Sequence, residues 1–322
     1  MKRMASVIRT AALLTLAAVL AGCGGGAGPS GGTGADANGV LTRALTGQSD
    51  TPEALTGRIA FQSDRDGDYE IFVMNADGTG QKKLTRNSMA WDVAPSWSPD
   101  GQKIAFQSDR DGDADVFVMN ADGTGQKKLT HNTAWDFGPS WSPDGKKIAF
   151  ASKRDGDGEI FVMNPDGTGQ KQLTYNKAYD ADPSWSPDSR KIAFTSGLYG
   201  DWEIFVMNAD GTGQKRVTSS PAMDEFPSWS PDGQKIAFDS NRDGDYEVFV
   251  MNADGTGRKQ LTHATAIDSQ ACWSPNGHKI AFDSNRDGDY EIFVMNADGT
   301  AQRQVTHNTA SEDCQPCWCP VP

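Results

Sequence analysis

Six aspartates, Asp92, Asp136, Asp180, Asp224, Asp268 and Asp313, each stand five residues before a tryptophan, Trp97, Trp141, Trp185, Trp229, Trp273 and Trp318. A carboxylate that returns at one place in a repeated unit is a hard oxygen donor presented several times over. If the units close into a ring, these six surround the mouth of its channel. Neighbours about 7 Å apart repel by roughly 0.6 kcal/mol in water, and by about four times that at an effective dielectric near 20. Such repulsion favours a bound cation or a raised pKa. Oxygen ligands in a negative funnel suit Ca²⁺ better than Zn²⁺, so calcium is the cofactor this pattern points to. The alternative is that each aspartate caps its own loop as an Asx-turn.

The residues beside the aspartates vary from copy to copy. Trp91, Trp135, Phe137, Tyr179, Met223 and Phe226 lie on or next to these segments. Aromatics on loops beside a channel mouth are expected either to form a recognition surface or to pack between neighbouring units. Four cysteines, Cys272, Cys314, Cys317 and Cys319, gather near the C-terminus. In an oxidising compartment they point to one or two disulfides pinning the last strand, with the pairing left open and a four-Cys zinc site as the alternative. Nucleophilic catalysis finds little support. There is no G-x-S-x-G elbow, and His131, His263 and His307, three of the four histidines, merely follow an LT or VT strand end.

The elements that must position these residues are set by repetition. The phrase FVMN begins at Phe72, Phe117, Phe161, Phe205, Phe249 and Phe293, a period in the forties that belongs to propellers or to helical solenoids. Each unit holds four short runs rich in β-branched and aromatic residues, separated by PDG, RDGD and NADGTG, which are turn chemistry. No segment offers ten residues of helical periodicity free of Gly and Pro. The reading is all-β: a six-bladed β-propeller of four-stranded blades over residues 58–322. Its first unit opens at Arg58 without a Trp strand, and its last stops just after Trp318. The C-terminal strand is therefore expected to complete the first blade as its innermost strand, which removes the exposed sheet edges. The RDGD turns and the inter-blade connections then share one face. The RDGD turn is read as a tight solvated hairpin, since its Gly falls at the wrong place for a calcium loop.

WSPDGxKIAF followed by SxRDGDxEIFVMNADGTGxxxLT resembles the WD40-like (PD40) repeat of the TolB propeller family, over about residues 58–319. The resemblance implies a binding protein of the cell envelope that acts beside a peptidoglycan-associated lipoprotein. It also implies an α/β domain before the propeller. Only a short segment precedes the repeats here, so the expectation is a stand-alone propeller.

Lys2, Arg3 and Arg9 precede a short apolar run that ends in Leu20-Ala21-Gly22-Cys23, similar to a bacterial lipobox. Residues 1–22 are expected to be a lipoprotein signal peptide, Cys23 the lipidated residue and residues 23–57 a flexible tether. Gly24 after the Cys favours the outer membrane by analogy with lipoprotein sorting. Without residues 1–22 the chain carries 27 basic and 43 acidic residues. That balance argues against nucleic acid and suits a basic envelope protein or peptide as partner. The expected function is a lipid-anchored, monomeric envelope binding module and not an enzyme. A metal-dependent lyase or hydrolase using the channel acids, and a purely structural scaffold, are the alternatives.

Overall fold

The computed structural model describes residues 55–309 and 311–320. The signal-like segment 1–22, Cys23 and the tether up to residue 54 lie outside the described residues. Six four-stranded antiparallel sheets make up the fold. Blade 1 is β1 (Arg58–Ser63), β2 (Glu70–Asn75) and β3 (Lys82–Lys83), preceded in space by β24 (Asp313–Trp318). Blade 2 is β4 (Asp92–Trp97), β5 (Lys103–Ser108), β6 (Asp115–Asn120) and β7 (Lys127–Lys128). Blade 3 is β8 (Asp136–Trp141), β9 (Ile148–Ser152), β10 (Glu159–Met163) and β11 (Lys171–Gln172). Blade 4 is β12 (Asp180–Trp185), β13 (Lys191–Ser196), β14 (Glu203–Asn208) and β15 (Lys215–Arg216). Blade 5 is β16 (Asp224–Trp229), β17 (Lys235–Ser240), β18 (Glu247–Asn252) and β19 (Lys259–Gln260). Blade 6 is β20 (Asp268–Trp273), β21 (Lys279–Ser284), β22 (Glu291–Asn296) and β23 (Arg303–Gln304).

The expected closure is present. Strand β24 pairs with β1 through Ile59↔Trp318 and Ala60↔Cys317, and the Cys319 N–H donates to the Arg58 carbonyl at 2.8 Å. The two middle strands of a blade are covered on both faces by neighbouring blades, which is why IAF and IFVM read as continuous apolar runs and not as alternation. Phe61, Phe106, Phe150, Phe194, Phe238 and Phe282 are buried on the second strands. Each packs 5.6–5.7 Å from the Phe opposite it on the third. Complete burial of one such ring contributes about 1.5–3 kcal/mol. The outermost strands are two residues long and rich in Lys, Arg and Gln, which blunts the one edge a blade leaves open.

Close blade-to-blade contact explains the Gly of the NADGTG turn. A Cβ on Gly123 (φ +93°) would sit 2.6 Å from the Leu84 carbonyl oxygen of the preceding blade. A β-bulge interrupts every inner strand. The residue at the bulge has positive φ: Ala94, Gly138, Asp182, Phe226, Gln270 and Gln315, with φ between 52° and 59°. Five of these are not glycine, a local cost that the surrounding sheet imposes. The bulge turns the five side chains toward the axis, and all six residues are half-buried.

Candidate functional site

The six aspartates head the inner strands, and none is accessible to solvent. The Arg of the RDGD turn folds back over its own blade to meet them. In blade 2, Arg110 donates from Nη2 to both Asp92 oxygens at 2.9 and 3.0 Å, from Nε to Ser108 Oγ at 2.8 Å and from Nη1 to Gln126 Oε1 at 2.6 Å. Its guanidinium carbon lies 4.6 Å from the Phe117 ring centre. The same pair recurs as Arg65–Asp313 at 2.9 Å, Arg154–Asp136 at 3.1 Å, Arg242–Asp224 at 2.9 Å and Arg286–Asp268 at 2.7 Å. Five of the six aspartates expected as calcium ligands therefore already have a cation beside them. The carboxylates are spent inside their own blades, where a guanidinium supplies the positive charge. Among the described residues no three His, Cys, Asp or Glu side chains are grouped to hold a metal. Sequence reasoning had placed the RDGD turn on the correct face but weighed its acids and not its Arg. Blade 4 lacks this Arg, with Leu198 in its place. There Asp180 accepts from Asn176 Nδ2 at 2.7 Å, and burial pushes its pKa up.

A second buried acid opens each third strand. Glu70 and Asp115 meet Lys83 and Lys128 at 3.3 and 2.5 Å, and Glu203 meets Arg216. In the other three blades Gln172, Gln260 and Gln304 replace the cation. Burial there raises Glu159 to about 7, Glu247 to about 8 and Glu291 to about 7.

The six apolar side chains expected at the recognition face are all half-buried, and five of them have ring or sulfur contacts. Trp91 meets Tyr69 edge-on at 5.8 Å. Trp135, Phe137 and Tyr179 surround Lys153, whose Nζ lies 4.8, 5.9 and 5.0 Å from their ring centres, and burial lowers its pKa. Phe137 also stacks on Tyr179 at 5.8 Å, and Met223 Sδ accepts from Tyr246 OH at 3.2 Å. Phe226 is the bulge residue of blade 5. The large apolar side chains that do reach solvent among the described residues are Met89 (95 % exposed), Tyr175, Leu198 and Tyr199. All four lie in inter-blade connections or in the turn of blade 4 equivalent to RDGD, on the face where the inner strands begin.

The channel wall on that face holds charge that sequence reasoning did not single out. On the second strand of each blade, the residue before the final Ser is Gln62, Gln107, Ala151, Thr195, Asp239 or Asp283. In blades 1, 4, 5 and 6 this position accepts the bulge N–H of the next blade. Gln62 Oε1 accepts from Ala94 at 3.1 Å, Thr195 Oγ1 from Phe226 at 3.2 Å and Asp239 Oδ2 from Gln270 at 2.6 Å; Asp283 accepts from Gln315. Neutral side chains therefore perform this role in blades 1 and 4. In blades 5 and 6 the acids do so and leave Asp239 Oδ1 and Asp283 Oδ1 buried without a hydrogen-bond partner. The sheet register sets Glu225 directly opposite Asp239, and Tyr246 OH donates to Glu225 at 2.6 Å. Burial pushes Asp182 and Glu225 up to about 7 and Asp283 up to about 8; Asp239 is raised well above the usual carboxylate range. Mutual repulsion adds to this: Glu225 by Asp182, and Asp239 by Asp283, Glu225 and Asp182. At the same places blades 2 and 3 carry Val93 opposite Gln107 and Phe137 opposite Ala151. One half of the wall is acidic and the other neutral. The available signal was the departure of Asp239 and Asp283 from Gln, Ala and Thr at one repeat position.

Cys272, Cys314, Cys317 and Cys319 are free thiols in this structure. Cys272 and Cys317 are brought side by side on β20 and β24, whereas Cys314 and Cys319 lie at opposite ends of β24.

Comparison with known proteins agrees with this architecture. The family described as the TolB beta propeller domain matches residues 51–138, 124–225 and 212–321. The Tol-Pal system protein TolB of Desulfosudis oleivorans is 45 % identical over 58 residues, covering 18 % of this chain and 12 % of that protein. The match thus spans only a small part of that relative's length. The crystal structure of TolB from Acinetobacter baumannii superposes with a TM-score of 0.72 at 23 % identity, over 82 % of this chain and 67 % of the other. A putative TolB from Agrobacterium tumefaciens gives 0.66 at 22 %, over 78 % and 89 %. An oligogalacturonate lyase in complex with manganese shares the fold at 0.57 and 16 %, over 79 % and 75 %.

Proposed function

The chain belongs to the TolB β-propeller family, and from that premise we propose that it is a monomeric binding module of the cell envelope. It is held at the outer membrane by a lipid on Cys23 and captures a basic segment of an envelope protein on its connection face. The observation that carries this reading is the uncompensated acid of the channel wall. Asp239 and Asp283 do a structural task that Gln62 and Thr195 do without charge, and their spare oxygens have no partner. Buried carboxylates without a cation are costly, and an incoming ammonium or guanidinium relieves that cost. Above these raised pKa values a channel lined on one side by carboxylate also focuses a negative field outward and speeds capture of a cationic partner. The exposed Met89, Tyr175, Leu198 and Tyr199 share this face and offer apolar contact beside the charge.

The reading is of a binding protein and not of an enzyme. The lyase among the fold neighbours is similar in architecture alone, and the six aspartates on which a metal-dependent alternative relied are engaged with arginines or, for Asp180, with Asn176. The test uses fluorescent peptides of equal length, one rich in Lys, Arg and Leu and one in which Glu replaces the basic residues. The full chain should bind the basic peptide, more weakly as salt rises. Joint substitution Asp182→Asn, Asp239→Asn and Asp283→Asn should weaken binding tenfold or more. Equal binding of the two peptides, or an unaltered affinity in the variant, would sink the proposal. The anchor is tested separately: Cys23→Ala should move the protein from the membrane to the soluble envelope fraction.

A further inference from the structure

We propose that Cys272 and Cys317 are a redox pair whose disulfide welds the closing strand to the blade beside it. The fifth residue of the inner strand is Ser96, Ser140, Ser184 and Ser228 in blades 2 to 5, then Cys272 in blade 6 and Cys317 in blade 1. A side chain here reaches toward the next blade and accepts the N–H that follows the equivalent residue. Ser96 Oγ accepts from Trp141 at 3.0 Å and Ser184 Oγ from Trp229 at 3.4 Å. Cys272 Sγ accepts from the Trp318 N–H at 3.3 Å, which places it against the residue bonded to Cys317. Thiols replace hydroxyls only at this junction, where the C-terminal strand completes the ring.

The chemistry of the two sulfurs differs in a useful way. Contact with the Cys317 thiol, ahead of the Trp318 N–H, lowers the Cys272 pKa, while Cys317 is raised by Cys272 and by burial. Cys272 is the more easily formed thiolate, and like Cys317 it is only half-buried. The Cys272 thiolate attacks a small-molecule disulfide, forming a mixed disulfide and releasing one thiolate, which takes up a proton. Cys317, which accepts from the Trp97 N–H, gives up its proton, turns about χ1 and attacks the Cys272 sulfur, expelling the second thiolate, which takes up that proton. Two protein thiols are oxidised and the oxidant is reduced to two thiols. Cys314 and Cys319 are about 16 Å apart along the strand, too far to bridge each other.

The bond closes a loop through blade 6 and prevents β24 from leaving its neighbour. The full chain is equilibrated with oxidised glutathione, alkylated, digested with trypsin without reduction and analysed by mass spectrometry. Cys314, Cys317 and Cys319 share the tryptic peptide 304–322, so the linkage is assigned in a Cys314→Ser, Cys319→Ser background. The expected result is one species joining the Cys272 peptide to Cys317, lost in Cys317→Ser. Reduction should lower the melting temperature by about 5–10 °C in the parent and leave Cys272→Ser unmoved. Because Ser occupies this position in four blades, the Ser variants retain a side chain that the site accommodates. Full alkylation of Cys272 and Cys317 after oxidation in that background, or melting indifferent to reduction, would each overturn the proposal.

Discussion

Two sets of buried carboxylates lie a few residues apart in this propeller, and they are opposites. The aspartates that head the inner strands recur in every blade, and five of them are held by an arginine at 2.7–3.1 Å. The acids of the channel wall, Asp182, Glu225, Asp239 and Asp283, belong to blades 4 to 6 alone and face one another. Repetition at every blade marks what the fold needs. Departure from repetition, where a neutral side chain does the same structural work next door, marks what the fold does not need. Charge that folding does not require and does not compensate is the better guide to a binding site.

The comparison breaks or sharpens in four ways. The largest effect is expected for Asp92→Ala, which strands Arg110 in the blade and should cost about 3–5 kcal/mol. Urea unfolding measures this, and a loss below about 1 kcal/mol would undo the claim that these pairs hold the blades. Next comes pH. A carboxylate raised in the folded state adds stability that is whole below its ordinary value near 4 and is lost as pH climbs through its folded value. Asp182, Glu225, Glu159 and Glu291 at about 7, with Asp283 and Glu247 at about 8, place the loss between about pH 4 and 8.5. The protein should therefore melt several degrees higher at pH 5.5 than at pH 8.5 at constant ionic strength. A flat or inverted profile contradicts the uncompensated state of these acids.

A single wall variant should show a smaller effect. Asp239→Asn keeps an oxygen for the Gln270 N–H and removes the unpaired charge, so it should stabilise the fold at pH 8 by about 1–2 kcal/mol. It should also flatten part of the pH slope. Destabilisation instead would show that the charge is structural. Smallest of all is Leu198→Arg, which returns to blade 4 the guanidinium that Asp180 lacks. It should add under about 1 kcal/mol, because the new arginine must also be ordered. The check is urea unfolding beside Asp180→Asn, which should be close to neutral where Asp136→Asn is not.

The blades and their number were readable from FVMN and the tryptophans alone, and so was the closure by β24, because an incomplete first unit and a truncated last unit complement each other. The sorting of turns to faces was also legible, since hairpins alternate ends. The partner of Asp92 and its equivalents was not legible. Knowing that Asp92 and the RDGD turn share a face does not reveal that Arg110, and not Asp109 or Asp111, folds back to it. That depends on the length of the Arg side chain and on Phe106 and Phe117 lying beneath it. The aromatic segments were legible as variable, but their packing around Lys153 was not.

The sequence by itself determined what is local and periodic: strand, turn and blade follow from alternating turn chemistry and apolar runs, and ring closure from the phase of the repeat. Tertiary structure alone decided which charges meet. Glu225 and Asp239 are 14 residues apart, and Asp283 lies 44 further on; only sheet register and the curvature of the ring bring them onto one wall. Coulombic energy depends on separation in space and on the dielectric between groups, and neither is written in sequence order. The same acidic residue type is thus a neutralised strut at Asp92 and an open charge at Asp239.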